Sequence, residues 1–183
     1  MGFVRTTLLA RWLPVKIFGI YGMAHSWVTL SAVLPNFGMG SAFVHRAPET
    51  KDEEHTAQVH FTIQLIFSTT WAILMIGGAL LFTAANLQVA LVLLTLTSLG
   101  MQFVHTPRLI LARRVVHRRL ALIGLVDTTV STVVTLFLAW QGVTLWALLA
   151  NNIVTLSVNL ALLYIWRPVW RPAVTWDSKG IRY

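Results

Sequence analysis

Three long stretches almost free of charged side chains decide what this chain can fold into. They cover residues 17–45, 55–107 and 120–166, and Asp127 is the one charged residue inside them. The hydrocarbon core of a bilayer is about 30 Å thick, so a helix rising about 1.5 Å per residue crosses it with about 20 apolar residues. The first stretch is therefore long enough for one crossing. Each of the other two is long enough for two crossings and a turn.

Two short clusters of turn-forming residues divide the longer stretches. They are TAANLQ at 83–88 and WQGVT at 140–144. The resulting spans lie near 17–39, 57–83, 88–107, 120–140 and 144–166. The initial segment FVRTTLLARWLP predicts the end of one more helix, which Pro14 closes. We therefore predict an all-α fold, a polytopic transmembrane helix bundle forming one domain over 1–183, with five complete spans, a partial first helix and a basic tail at 167–183.

The composition favours lipid over water as the surroundings of this chain. Charged residues make up 11% of it and hydrophobic residues 56%, and its mean hydropathy is +0.71, whereas a soluble domain is about 25% charged. The eight tryptophans and the net charge of +8 suit a protein whose indoles and cationic loops meet lipid headgroups. Because the chain has no cysteine, disulfides, thiolate metal sites and thiol catalysis are excluded.

The positive charges predict the orientation of the spans, since cytoplasmic loops retain Lys and Arg. The segments 46–55, 108–119 and 167–183 lie on one side and carry eleven such residues, whereas the opposite side has only Arg11 and Lys16. We expect the basic loops and the tail to face the cytoplasm. The segment RRVVHRR offers no stacking or base-reading residue, so nucleic acid is not an expected partner.

Polar residues recur at helical spacing on every predicted span. These stripes are Tyr21, His25 and Thr29; Thr56, His60, Gln64 and Ser68; Thr95, Ser98, Gln102 and His105; Asp127, Ser131 and Thr135; and Asn151, Thr155 and Asn159. Such stripes either line a common hydrated cleft, as a transporter of a polar group requires, or join helices by hydrogen bonds. Imidazoles and amides are the better cleft candidates, because they are costly to bury unpaired. They are His25, His60, Gln64, Asn151, Asn152 and Asn159.

Asp127 is a further candidate, because a carboxylate at membrane depth is costly. It follows Arg119 by eight residues, which is about 12 Å along a helix, so it lies inside the hydrocarbon. Such an acid either pairs with an inward Arg or Lys for structure, or titrates and couples a proton to transport. The sequence leaves both alternatives open.

The residue patterns of an enzyme are missing from the sequence. His55 and His60 are five residues apart, which does not place both on one metal-binding face of a helix. The acidic cluster at 49–54 is typical of a solvated loop before a helix. No phosphate-binding glycine loop, nucleophile elbow or intramembrane carboxylate pair occurs. We expect no enzyme, no cofactor and no metal site.

Five segments stand out together against the apolar background. They are LLARWLPVKIFGIYGMA (8–24), LPNFGMGSAFVHR (34–46), TPRLILARRVVHRRLALIGLVD (106–127), GVTLWALLANNIV (142–154) and WRP (166–168). In order and spacing they resemble the N-terminal half of bacterial oligosaccharide flippases, the O-antigen and polysaccharide exporters of the multidrug/oligosaccharidyl-lipid/polysaccharide superfamily. Members of that family commonly have an acid early in the fifth helix, where this chain has Gly124, with Asp127 one turn later.

The resemblance implies translocation of a lipid-linked oligosaccharide, usually on undecaprenyl pyrophosphate, across the bacterial inner membrane for polysaccharide or lipopolysaccharide O-antigen biosynthesis. It implies that Arg46, Arg108, Arg113 and Arg114 match the family's basic motifs and attract the pyrophosphate; alternatively, each arginine only sets orientation.

Such flippases have two six-helix lobes, so this chain resembles one lobe and requires a C-terminal lobe or a second copy as partner. The alternatives are a lobe of another multidrug or ion exporter of the superfamily, a membrane-embedded glycan polymerase or ligase, and a non-transporting membrane subunit.

Overall fold

The computed structural model describes residues 2–33, 53–166 and 168–173, with side chains from residue 7 and residue 57 onward in the first two ranges. The described residues form seven α-helices: α1 (Gly2–Trp12), α2 (Val15–Ser31), α3 (Glu53–Phe82), α4 (Ala85–Gly100), α5 (Gln102–Arg113), α6 (His117–Trp140) and α7 (Thr144–Leu160). A π-helical turn, Ala161–Trp166, continues α7. These residues include no strand, so the predicted all-α bundle is confirmed.

Among the described residues, four helical segments are long and apolar enough to cross a membrane. They are Ala57–Phe82, Ala85–Arg113, His117–Trp140 and Thr144–Trp166, at the positions where the sequence predicts its last four spans. α2 overlaps the first predicted span, 17–39, and the rest of that span lies outside the described residues. The count of five complete spans therefore stays a prediction.

Apolar clusters at the two ends of the bundle show that successive membrane-crossing segments run in opposite directions. At one end the last residues of α1 and α6 meet the first turn of α7, through Leu9, Leu13, Ala139, Ala147 and Leu148. The other cluster joins the start of α3, the end of α5 and the segment after α7; its members are Ala57, Phe61, Ile110 and Trp170. We call the second end, which also carries the arginines of residues 113–119, the basic end.

Pro107 lies inside α5 and leaves one backbone carbonyl without its helical donor. A proline has no N–H, so the carbonyl of Phe103, four residues earlier, cannot accept the usual bond. The hydroxyl of Tyr164 in the π-helical turn donates to that oxygen at 2.8 Å. The proline is therefore tolerated because a neighbouring helix supplies the missing donor, and the same bond ties the end of α7 to α5.

The turns after α5 and after α6 have the same backbone hydrogen bonds. After α6 the N–H of Gly142 donates to Ala139 and that of Val143 to Leu138, each at 3.1 Å. This Schellman arrangement has a left-handed residue just past the helix, here Gly142 with φ 80°. The equivalent position after α5 is occupied by Val115 with φ 57°, a conformation that is strained for a β-branched residue.

Candidate functional site

Three membrane-crossing helices meet at a charged cluster that we call the Arg108 cluster, formed by Arg108, Asp127 and Asn159. Arg108 follows Pro107 on α5, Asp127 lies on α6, and Asn159 lies near the end of α7. Arg108 Nη2 donates a hydrogen bond to Asn159 Oδ1 and lies 4.0 Å from Asp127 Oδ2. The amide of Asn159 also donates from Nδ2 to the Thr155 carbonyl at 2.7 Å. One guanidinium therefore links three helices.

Asp127 has a cationic neighbour in the Arg108 cluster. Its side chain is 16% exposed and that of Arg108 is 36% exposed, while Asn159 is fully buried. Placing a charge in lipid is costly, and an opposite charge at short range offsets part of that cost. The sequence predicted an inward Arg or Lys as one option, and the structure identifies it as Arg108.

The hydrogen-bonding capacity of the Arg108 cluster is only partly used. Asp127 Oδ1 and Arg108 Nε are buried, and neither has a hydrogen-bond partner among the described residues. Buried polar atoms in proteins nearly always have a partner, so such exceptions indicate an unmet requirement. The cluster can therefore accept one hydrogen bond and donate another to a polar molecule that reaches it.

A second polar row lies on α3 and faces α4 and α5. His60, Gln64 and Ser68 on α3 are all buried, at 6%, 2% and 0% exposure. α4 and α5, the helices that α3 contacts, carry the buried polar residues Thr95, Gln102 and Thr106. In the part of the chain that the structure describes, Ser68 Oγ, Thr95 Oγ1 and Thr106 Oγ1 have no hydrogen-bond partner. His60, Gln64 and Ser68 of the predicted stripe therefore lie inside the bundle.

The remaining amide and imidazole candidates lie on α2 and α7. Asn152 Nδ2 donates to the Tyr21 hydroxyl at 3.2 Å, and the Tyr21 ring lies 5.7 Å from the His25 ring. His25 is exposed, and its Nδ1 is 3.5 Å from the Thr29 hydroxyl. Asn151 is half-buried. The structure therefore brings Asn152 and His25 into one group with Tyr21, apart from the Arg108 cluster.

The three basic-motif arginines that the structure describes do not form one group. Arg108 points into the bundle toward Asp127, Arg113 is half-buried at the end of α5, and Arg114 is exposed in the turn. Arg46, with the rest of the segment 34–46, lies outside the described residues. Arg113 and Arg114 follow Arg108 by five and six residues, which corresponds to rotations of about 140° and 240° about the helix axis. Arg108 therefore cannot share a face with either of them.

Three cavities bordered by described residues lie away from all of these candidates. Their volumes are about 240, 430 and 440 Å³. Apolar side chains form most of their walls, with Arg118 and Arg119 at the largest. The wet cleft that the polar stripes suggested therefore stays a hypothesis.

Sequence reasoning did not find the bond between Tyr164 and the Phe103 carbonyl, or the partner role of Arg108. A signal for the first existed, because Pro107 inside an apolar run implies an orphaned carbonyl four residues earlier. The donor could not be identified, since Tyr164 is 61 residues away from Phe103.

The comparisons with known proteins bear on the whole chain. Residues 8–183 match a family model described as polysaccharide biosynthesis protein. Neither the curated proteins nor the solved structures yield a match. The family match extends over all four apolar membrane-crossing helices and every residue of the Arg108 cluster. The chain therefore belongs to the polysaccharide biosynthesis protein family.

Proposed function

We propose that this chain is one lobe of a transporter that flips a lipid-linked oligosaccharide, usually carried on undecaprenyl pyrophosphate, across the bacterial inner membrane. The Arg108 cluster carries the proposal. It is a charged, partly satisfied group within membrane-crossing helices, and intramembrane ionisable groups mark substrate or ion pathways. Membership of a polysaccharide biosynthesis family supplies the class of substrate.

A sugar that crosses the membrane needs hydrogen-bond partners along its path that replace the water it leaves. A sugar headgroup cannot leave water for hydrocarbon without other hydrogen-bond partners. Asp127 Oδ1 accepts a bond from a sugar hydroxyl and Arg108 Nε donates one, because these are the two atoms with unused capacity. In the proposed orientation the basic end faces the cytoplasm, and its arginines attract the pyrophosphate before the sugar enters.

A second lobe is part of the proposal. Alternating access in such transporters is a movement of one helix repeat against another around a fixed site. The partner is a second lobe, supplied either by additional chain or by another copy of this one. If two copies associate weakly, the rate of leaflet exchange rises with the square of the protein density at low density; a linear rise from the lowest density argues against such a reversibly associating second copy.

The test uses proteoliposomes that contain a fluorescent lipid-linked oligosaccharide. Both binding of this lipid and its exchange between leaflets are measured for the unaltered protein, Arg108→Gln and Asp127→Asn. We expect each variant to lower exchange about tenfold or more, as for loss of a hydrogen bond to a charged group. Thr128→Ala is the matched control, since Thr128 is the exposed neighbour of Asp127 on α6.

A double variant separates substrate binding from folding. Arg108→Gln alone leaves Asp127 without its cation, which destabilises a buried pair. Combining it with Asp127→Asn gives an uncharged pair that is expected to fold. If the double variant exchanges the lipid at the normal rate, the Arg108 cluster does not handle the sugar and the proposal is wrong.

A further inference from the structure

A cationic cavity lies beside the first turn of α6 at the basic end. It has a volume of about 440 Å³ and is lined by Val116, Arg118, Arg119, Leu122 and Trp166. Among the residues that the structure describes, two arginines and no acidic side chain border it. Paired guanidinium groups with an indole beside them form the type of pocket that binds a phosphate group at a membrane surface.

A second, apolar cavity continues from the first along α6. It has a volume of about 240 Å³, and Leu122 and Trp166 line both cavities. The other lining residues are Ile123, Val126 and Leu162. Val126 comes seven residues after Arg119, so the second cavity extends about 10 Å further along the helix axis. Because the two cavities share Leu122 and Trp166, they are adjacent, and we call them together the α6 groove.

The α6 groove has the polarity of a single phospholipid molecule. Its cationic end lies at the basic end of the bundle, and its apolar end runs toward the middle of the membrane-crossing helix His117–Trp140. The groove opens outward, because Leu122 and Trp166 are 46% and 56% exposed. In a membrane-crossing helix these exposed apolar surfaces contact acyl chains. Asp127 adjoins Val126 in the chain but is turned toward Arg108, so the groove is separate from the Arg108 cluster.

We propose that the α6 groove binds an anionic phospholipid of the surrounding bilayer. The lipid phosphate lies against Arg118 and Arg119, and one acyl chain lies along Leu122 and Val126. Charge complementarity determines the class of lipid, since a zwitterionic headgroup places a cation against two arginines. A bilayer lipid is favoured over the transported lipid because the groove opens outward to the acyl chains and not toward the Arg108 cluster.

The first experiment compares lipids with identical acyl chains. The purified protein in detergent is titrated with phosphatidylglycerol or phosphatidylcholine, and bound lipid is counted by native mass spectrometry. We expect preferential binding of phosphatidylglycerol. Each arginine near a membrane surface contributes about a fivefold change in affinity for anionic lipid, so Arg118→Gln with Arg119→Gln weakens that binding about 25-fold and removes the preference.

Two matched controls separate the α6 groove from general attraction to a basic surface. Arg113→Gln with Arg114→Gln removes the same amount of charge from the basic end, at residues that do not line the α6 groove. We expect it to weaken binding less than about threefold. Leu122→Trp fills the groove and lowers affinity for long-chain phosphatidylglycerol but not for glycerol phosphate. Leu125→Trp, at an exposed site on the same helix outside the lining, leaves both unchanged.

Two outcomes overturn the proposal. Equal weakening by the two arginine pairs means that only the overall positive charge attracts the lipid. The other adverse outcome is displacement of phosphatidylglycerol by a polyprenyl pyrophosphate that binds more tightly and with the same dependence on Arg118 and Arg119, because the site then belongs to the transported lipid. Normal thermal unfolding of each variant ensures that a loss of binding is not a loss of folding.

Discussion

Single polar side chains in the membrane-crossing helices have hydrogen-bond partners that are far away in the sequence. Tyr164 donates to Phe103, Asn152 donates to Tyr21, and Arg108 donates to Asn159. In lipid no water replaces a lost partner, although measured single bonds between membrane helices contribute only about 0.6 kcal/mol on average and about 1.7 kcal/mol at most. Each bond therefore fixes the rotation of a helix more than it stabilises the bundle.

The Tyr164 hydroxyl can be removed with and without the proline whose missing N–H it replaces. Tyr164→Phe removes the donor that replaces the N–H missing at Pro107, so we expect a loss of about 1 kcal/mol in the free energy of unfolding. In a Pro107→Ala background the alanine N–H bonds to Phe103 as in an ordinary helix, and the same substitution should cost much less. Unfolding in mixed micelles measures both. An equal cost in the two backgrounds would mean that the hydroxyl does not compensate for the proline.

The residue that follows each helix explains how α5 and α6 end. α5 and α6 both close with a Schellman pair of hydrogen bonds, and each requires a residue in the left-handed region. Gly142 meets that requirement without strain, whereas Val115 does not. The turn between α5 and α6, which lies between the arginine pairs at 113–114 and 118–119, therefore contains a strained residue.

Exchanging the two residue types tests this account of the helix ends. Val115→Gly removes the strain of a branched side chain at positive φ and should raise the free energy of unfolding by about 1 kcal/mol. Gly142→Val introduces the same strain and should lower that free energy by about 1 to 2 kcal/mol. Thermal unfolding of the two variants provides the comparison. Effects of the same sign would contradict the assignment of both turns to one motif.

α4 and α7 approach closely at one glycine. A Cβ on Gly100 would lie 2.6 Å from Leu156 Cδ2, so the leucine must rotate away if the glycine is replaced. Glycines at helix interfaces in membranes permit this kind of contact.

We therefore expect Gly100→Ala to destabilise the bundle by about 1 kcal/mol. Combination with Leu156→Ala should reduce the penalty, because the clashing methyl group is removed. A double-mutant cycle on the free energy of unfolding measures the coupling, and a coupling of zero would indicate that the two helices do not meet there.

At the scale of the whole molecule, the segments that connect the helices are divided between the basic end and the opposite end of the bundle. The turn at 114–116 and the segment 168–173 belong to the basic end, while the turns at 83–84 and 141–143 belong to the other. Trp170 packs edge-on against Phe61, with ring centroids 5.3 Å apart, so the start of the basic tail is held against α3. Orientation in the membrane is therefore a property of the complete bundle.

Accessibility labelling tests the proposed orientation. Because the chain contains no cysteine, single cysteines are unambiguous reporters. His117 at the basic end and Gln141 at the opposite end are both exposed. A membrane-impermeant maleimide added to spheroplasts should label Gln141→Cys at once and His117→Cys only after lysis. The reverse pattern would place the arginines outside the cell and remove the basis for pyrophosphate attraction from the cytoplasm.

The sequence by itself determined the class of fold and the approximate positions of the four apolar membrane-crossing helices, because crossing a bilayer is a requirement on length and hydropathy along the chain. It also identified Asp127 as a residue that needs an explanation. Helical spacing placed His60, Gln64 and Ser68 on one face correctly. All of these conclusions depend on properties of one segment at a time.

Only the tertiary structure decided which neighbour each polar face meets. It paired Asp127 with Arg108, buried Asn159 beside them, left His25 exposed, and gave Tyr164 to the carbonyl that Pro107 orphans. The helical spacing of polar residues and the hydropathy define a face on a helix. They do not define the rotation and tilt of the helix that packs against it. Those depend on contacts between segments that are distant in sequence, and for that reason the partners could not be read from the residues alone.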